Sequence, residues 1–302
     1  MTAVAPKPMS RTAGLVRRHT LTVFAVLAFL YLFLPVALII VFSFNATQGR
    51  FNFTWEGFTL EHWDSVFGSP FGGSAAPAVD ALLVSLRLAF ASSLAATTLG
   101  TLIALALVRY RFKGRDTTNI ALFLPMATPE VVMGSSLLAM FLLLRLPLGF
   151  GSLFIAHVLF TISYVVVTVK ARLQGYDRNL EEAAMDLYAN EWQTFRKVTL
   201  PLIMPGVFAA FLLGFALSFD DFIISNFNAG PRTITFPLWV FGAAQRGIPP
   251  EINVLGSIIF FVTVVVMLVN VRLQARRSRT ASASAEIDHV PVADQSEKVS
   301  QG

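Results

Sequence analysis

Residues 178–201 read RNLEEAAMDLYANEWQTFRKVTLP. Polar and charged side chains fill this stretch, while apolar runs at 152–169 and 201–222 flank it. A polar segment between two such runs marks a chain threaded repeatedly through a bilayer, since a spanning helix needs roughly 20 mostly apolar residues. Asn179–Val198 is rich in helix formers and is expected to be helical. Glu182 and Asp186 lie four apart on one face, as do Ala183 and Leu187. Small side chains at Ala183 and Ala184 leave a shallow surface on which another protein could seat. Proline lacks an N–H and clashes with the preceding turn, so Leu200-Pro201 is expected to break the helix and turn the chain into the next apolar run. Two physical readings fit: an amphipathic helix lying at the membrane surface, or a docking helix.

The rest of the chain supports a membrane setting. Of 302 residues, 55% are hydrophobic and 14% charged, with a mean hydropathy of +0.66. Soluble domains carry about 25% charged residues, and a water-soluble fold of this length lacks the core to hide so much apolar surface. The net charge of +5 is no nucleic-acid signature, because the basic residues sit at the edges of apolar runs. There is no cysteine, which excludes disulfides, thiolate chemistry and Cys-based metal sites.

Six spans are expected, at about 21–44, 81–108, 119–144, 152–169, 201–222 and 252–273, in an all-α, polytopic fold. The first is too long for the apolar core of a signal peptide and lacks a cleavage signature, so it reads as a retained anchor. The second is rich in small residues, including Ser92, Ser93, Ala96, Gly100 and Ala104, which allow close helix contact in lipid. The third is interrupted by Pro125 and Pro129. Residues 45–77 form a polar, aromatic loop with Asn45, Trp55, Trp63, Gly72 and Gly73. Residues 1–20 are expected to be a tail, and 276–302, Arg-rich and then Ser/Ala/Asp/Glu-rich, a disordered one.

Lys and Arg cluster in the N-terminal tail, at 109–115, across 170–200 and after the last span. The alternate loops hold only Arg50, Arg145, Arg232 and Arg246. The positive-inside rule then places both termini and the 170–200 segment in the cytoplasm of a bacterial inner membrane.

Ionisable groups within a bilayer are costly, roughly 3 kcal/mol for a mid-helix Asp on insertion scales, and usually face a cavity or a partner. Asp220 and Asp221, at the outer end of the fifth span, and Glu130, beside two prolines in the third, are therefore candidates for a solute passage. The competing reading has the aspartates capping a helix end, or pairing with Arg232 or a partner. It has Glu130 bonding backbone freed by the prolines. His157 reads as a hydrogen-bonded packing residue, Arg87 as a snorkelling one, and the 28 phenylalanines as lipid-facing bulk.

Glu182-Ala183-Ala184, three residues, position 188, nine residues, and then Val198-Thr199-Leu200-Pro201 closely resemble the EAA motif. That motif belongs to permease subunits of type I, or MetI-like, ATP-binding-cassette (ABC) importers. The resemblance covers about residues 20–275, a transmembrane permease domain with its coupling segment at 178–200. It implies a coupling helix seated on an ATPase subunit, with Glu182, Ala183, Ala184, Asp186, Tyr188, Leu200 and Pro201 as the ATPase-coupling residues. The family has Gly at position 188. Tyr disfavours the positive φ that Gly supplies, so the turn is expected at Asn190 instead.

Within the family the chain is similar to spermidine/putrescine permeases of the PotC-like branch, through Trp55-Glu56-Gly57-Phe58-Thr59-Leu60, Arg109-Tyr110-Arg111-Phe112-Lys113-Gly114, Leu217-Ser218-Phe219-Asp220-Asp221-Phe222 and Pro250-Glu251-Ile252-Asn253. Permeases for ferric iron, thiamine or sulfate share the scaffold. The resemblance implies a non-catalytic subunit without cofactors, ATP and Mg being held by a partner ATPase dimer. A second homologous permease, an extracytoplasmic solute-binding protein and the lipid bilayer are the other implied partners, with no nucleic acid. No G-x-x-x-x-G-K-[ST] phosphate loop is present. The rival classes are an intramembrane enzyme, for which Glu130, His157 and Asp220/Asp221 show no recognisable spacing, and a stand-alone channel, for which no internal repeat is evident.

Overall fold

The computed structural model describes residues 11–47, 51–68, 74–175, 177, 179–247 and 249–288. Among these, twelve α-helices follow one another: α1 (Arg11–Phe42), α2 (Glu61–Gly68), α3 (Ala76–Arg109), α4 (Arg115–Ala127), α5 (Glu130–Leu143), α6 (Phe150–Gln174), α7 (Asn179–Asp186), α8 (Glu191–Thr194), α9 (Leu200–Phe219), α10 (Ile223–Asn228), α11 (Phe236–Arg246) and α12 (Pro250–Asp288). The described residues contain no strand, only an isolated antiparallel bridge between Asn45 and Phe58. Gly72, Gly73, Arg50 and Arg178 lie outside the described residues.

Five helical stretches are long and apolar enough to cross a membrane: 20–42, 76–109, 150–174, 191–219 and 250–269. The expected third span is a broken one, α4 and α5 meeting at 106°, and counts as a sixth crossing only if the pair is taken together. Its prolines explain the break. Pro129 pushes the residue before it out of helical space, and Thr128 is extended at φ −80°, ψ 132°. Pro129 itself precedes the first turn of α5, where a missing N–H costs nothing. Residues 11–20, expected as tail, join α1, and 276–288 continue α12 instead of starting a structureless segment. Residues 276–288 hold no Gly or Pro to stop a helix already nucleated, where each further residue closes one more hydrogen bond.

The chain divides into two compact units. One comprises the residues up to Trp63 together with those from Pro250. Here α1 packs along α12, Phe33 meeting Phe260 edge-on at 6.5 Å. The polar loop after α1 is organised by Asn45, which is fully buried. Its Nδ2 donates to Asn52 Oδ1 and the Thr54 carbonyl, both at 2.6 Å, and its Oδ1 accepts the Glu56 N–H at 2.7 Å. Phe44 stacks on both Phe58 and Trp63.

The other unit, Asp64–Pro249, is built on α3, α6 and α9 packed on one another. The small residues of α3 allow this: a Cβ at Gly100 would lie 2.6 Å from Val165 Cγ1, closer than atoms tolerate. Ala96, Ala104, Val165, Val169, Ile203 and Ala210 form the core there. A second cluster, Phe141, Ala156, Phe160 and Ile224, joins α5 and α10 to α6. On α9, Phe208, Phe211, Phe215 and Phe219 stack at helical spacing along one side.

Candidate functional site

The helical stretch expected over Asn179–Val198 is divided by a turn into two short helices, α7 and α8, before the π-helical turn that leads to α9. The Asp177 carboxylate accepts the Asn179 N–H at 3.0 Å, and Glu181 and Glu182 place negative charge in the first turn of α7, where the helix dipole favours it. At the other end the Ala189 N–H bonds the Ala184 carbonyl and the Tyr188 N–H that of Met185, the pattern of a helix closed by a left-handed residue. That residue is Tyr188, at φ 63°. The expectation that Asn190 would make the turn is therefore corrected. Asn190 is extended, at φ −75° and ψ 166°, and it caps α8 through a reciprocal pair with Gln193. An Asx side chain that accepts the N–H three residues on is best satisfied from extended backbone. Tyr188 is left with the strained position, and its ring, 98% exposed, meets no obstacle there.

Glu182, Ala183 and Asp186 are exposed and Ala184 is half-buried. Around them Leu180, Met185, Leu187, Tyr188 and Trp192 are exposed as well. Large apolar groups gathered on a polar-rimmed surface mark a contact with a protein or with the membrane. Met185, Leu187 and Trp192 share this exposed surface with the residues singled out from the motif. Their signal was apolar side chains in an otherwise polar segment.

Glu181 turns the other way. It is buried, and its Oε1 accepts from the Arg109 guanidinium and, at 2.5 Å, from Thr199 Oγ1. The same Arg109 nitrogen donates to Thr199 Oγ1 at 2.9 Å, closing a triangle between the end of α3, the first turn of α7 and the start of α9. Hydrogen bonds to charged groups contribute about 1.5–3 kcal/mol each. Arg109, read from sequence as a topology marker, and Glu181, passed over for its neighbour, are the residues that reasoning from the motif missed.

Pro201 does not break the helix. Residues 195–199 form a π-helical turn, in which the Leu200 N–H bonds the Phe195 carbonyl five residues back. The wider turn accommodates the proline in the first turn of α9, and helix runs from Glu191 to Phe219. Leu200 is half-buried and Pro201 exposed.

At the far end of α9, Asp220 and Asp221 part company. Asp221 is buried, and its carboxylate accepts the Ile224 N–H at 3.2 Å and the Ser225 N–H at 2.8 Å, capping α10. His157 lies beside it, Nε2 3.5 Å from Asp221 Oδ2 and 3.1 Å from Ser225 Oγ. The other ring nitrogen is 2.7 Å from Ser218 Oγ, which reaches Ser92 Oγ at 2.9 Å. This polar chain ties α3, α6, α9 and α10 together, as expected of a packing histidine. Asp220 is exposed. Glu130 is exposed at the first position of α5, directly after the bend. One turn on, the Gly134 carbonyl accepts from Asn228 Nδ2 of α10, so the Glu130 helix and the Asp221 cap belong to one packed corner. No salt bridge among the described residues includes Glu130 or Asp220.

Residues 96–279 match the family model of the binding-protein-dependent transport system inner membrane component. The chain belongs to this family. The permease is 40% identical to the spermidine/putrescine transport system permease protein PotC of Escherichia coli (strain K12) over 238 residues, 79% of this chain and 87% of that one. It is 36% identical to PotC of Haemophilus influenzae over 247 residues, 82% and 93% of the two chains. Identity to the E. coli K12 putrescine transport system permease protein PotI is 34% over 264 residues, 85% and 91% of the two. In fold, the permease resembles a chain in the crystal structure of a bacterial ABC transporter involved in the import of the acidic polysaccharide alginate. The TM-score is 0.62 at 16% identity, covering 89% of this permease and 99% of that chain. The architecture is thus the MetI-like fold of an ABC importer permease in the inner membrane, and the 179–199 segment lies within the matched residues.

Proposed function

We propose that this permease passes a polyamine, spermidine or putrescine, through the inner membrane, driven by an ATPase dimer held on α7 and α8. The observation that carries the coupling is the exposed face of Glu182, Ala183, Asp186, Leu187 and Trp192, which lies on α7 and α8 and meets, at Glu191, a helix that runs on to Phe219. A push on that face passes through α8 and the π-helical turn into α9, whose far end is at Asp220. ATP and Mg belong to the ATPase partner, and this chain acts without a cofactor of its own. A second homologous permease completes the passage, and an extracytoplasmic binding protein delivers the solute on the side of Asp220. Both termini face the cytoplasm, where the Lys- and Arg-rich segments lie.

The polyamine cargo is supported by the names of the PotC and PotI relatives and by the exposed carboxylates Asp220 and Glu130, which suit an organic dication. The test is radiolabelled uptake in cells lacking this chain, competed with spermidine, putrescine, thiamine and ferric iron. Selective loss of polyamine uptake is the expected result. Unchanged polyamine uptake removes the cargo assignment.

A further inference from the structure

The triangle of Arg109, Glu181 and Thr199 lies on the buried side of α7, a different face of the helix from the exposed Glu182. Thr199 is fully buried, and the side chains of Arg109 and Glu181 are 26% and 12% exposed. From these contacts we infer that Glu181 is a positioning residue for energy coupling: it clamps the docking helix to α3 and α9 together, so that movement of α7 reaches two membrane helices as one body.

Three observations carry the inference. First, the carboxylate joins elements far apart in sequence, Arg109 lying 72 residues from Glu181 and Thr199 lying 18. Second, Thr199 is the last residue of the π-helical turn, and such single turns are locally the most adjustable part of a long helix. Without a clamp, a push on α7 would be absorbed by that turn. With Thr199 bonded to Glu181, the turn moves with α7. Third, Arg109 ends α3 in its last turn, where the helix dipole favours a cation, so the third corner is held in place without Glu181.

The inference rests on the coupling reading above. The test uses the whole transporter, purified through a tag on this chain and reconstituted in proteoliposomes with its binding protein and spermidine. Two quantities are read: ATPase retained on the tagged chain, and spermidine imported per ATP hydrolysed. Glu181→Gln, which keeps the shape and removes the charge, is expected to lower import per ATP by about fivefold with ATPase retention unchanged. Thr199→Val removes one corner and lowers the ratio by about twofold. The charge-swapped pair Arg109→Glu with Glu181→Arg recovers part of the loss. A Glu181→Gln transporter with the wild-type ratio overturns the inference. So does a loss of import matched by an equal loss of bound ATPase, which is the result of a merely structural residue. Failure of the coupling reading itself is distinct: the wild-type chain then brings down no ATPase at all.

Discussion

Two acidic doublets, Glu181-Glu182 on α7 and Asp220-Asp221 directly after α9, are used by the fold in the same divided way. In each, one acid is buried and the other exposed. The buried acids are satisfied differently. Asp221 takes backbone N–H groups of the next helix, three and four residues on. Glu181 takes side chains from other elements, 72 and 18 residues away. The outer doublet therefore shapes a local elbow between α9 and α10, whereas the inner one binds separate helices into a lever. The exposed members, Glu182 and Asp220, are left to meet something outside the chain.

The largest effect that separates the two members of a doublet is expected at Glu182. Glu182→Lys reverses charge on the docking face, where like-charge contact costs several kcal/mol, and should lower uptake by more than about tenfold while the chain still inserts in the membrane. Normal uptake, set beside the amount of chain in the membrane fraction, would defeat the coupling assignment. Next comes the outer doublet. Asp221→Ala strands two buried N–H groups and should lower unfolding free energy by about 2–4 kcal/mol. Asp220→Ala should stay within about 0.5 kcal/mol. Unfolding of the detergent-solubilised protein measures both, and equal losses would erase the division between them. At the inner doublet, Glu181→Ala should cost about 1–3 kcal/mol in the same assay, against less than about 0.5 kcal/mol for Glu182→Ala. The smallest effect is at the turn beyond that doublet. Tyr188→Gly relieves a left-handed residue at about 1–2 kcal/mol and gives back about 0.5–1 kcal/mol in chain entropy. A rise in stability below about 1 kcal/mol is expected, read as a small gain in thermal midpoint, and a fall would mean that the exposed ring makes contacts of its own.

Much of this was legible in residue order. The apolar runs gave the spans to within a few residues for α3, α6 and the apolar part of α12, and Pro125 and Pro129 marked the break between α4 and α5. The spacing from Glu182 to Pro201 pointed to the importer-permease family that the comparisons show. Two readings failed for physical reasons that lie outside local pattern, and one residue went unread. Asn190 seemed the better left-handed residue, but its side chain was worth more as a cap for α8. Pro201 seemed a breaker, but a π-helical turn absorbed it. Glu181 went unread beside Glu182, because nothing adjacent in the chain marks which of the two acids is buried.

By itself the amino-acid order determined that this is a helical membrane protein with a polar inter-span segment of the importer type. Transfer of apolar side chains to lipid adds up residue by residue, and backbone groups in lipid must bond within their own helix, so both are properties of consecutive residues. Only the tertiary structure decided which acid of each doublet holds the molecule together and which is free to act. That choice depends on burial and on a partner such as Arg109, brought alongside by the packing of α3, α6 and α9.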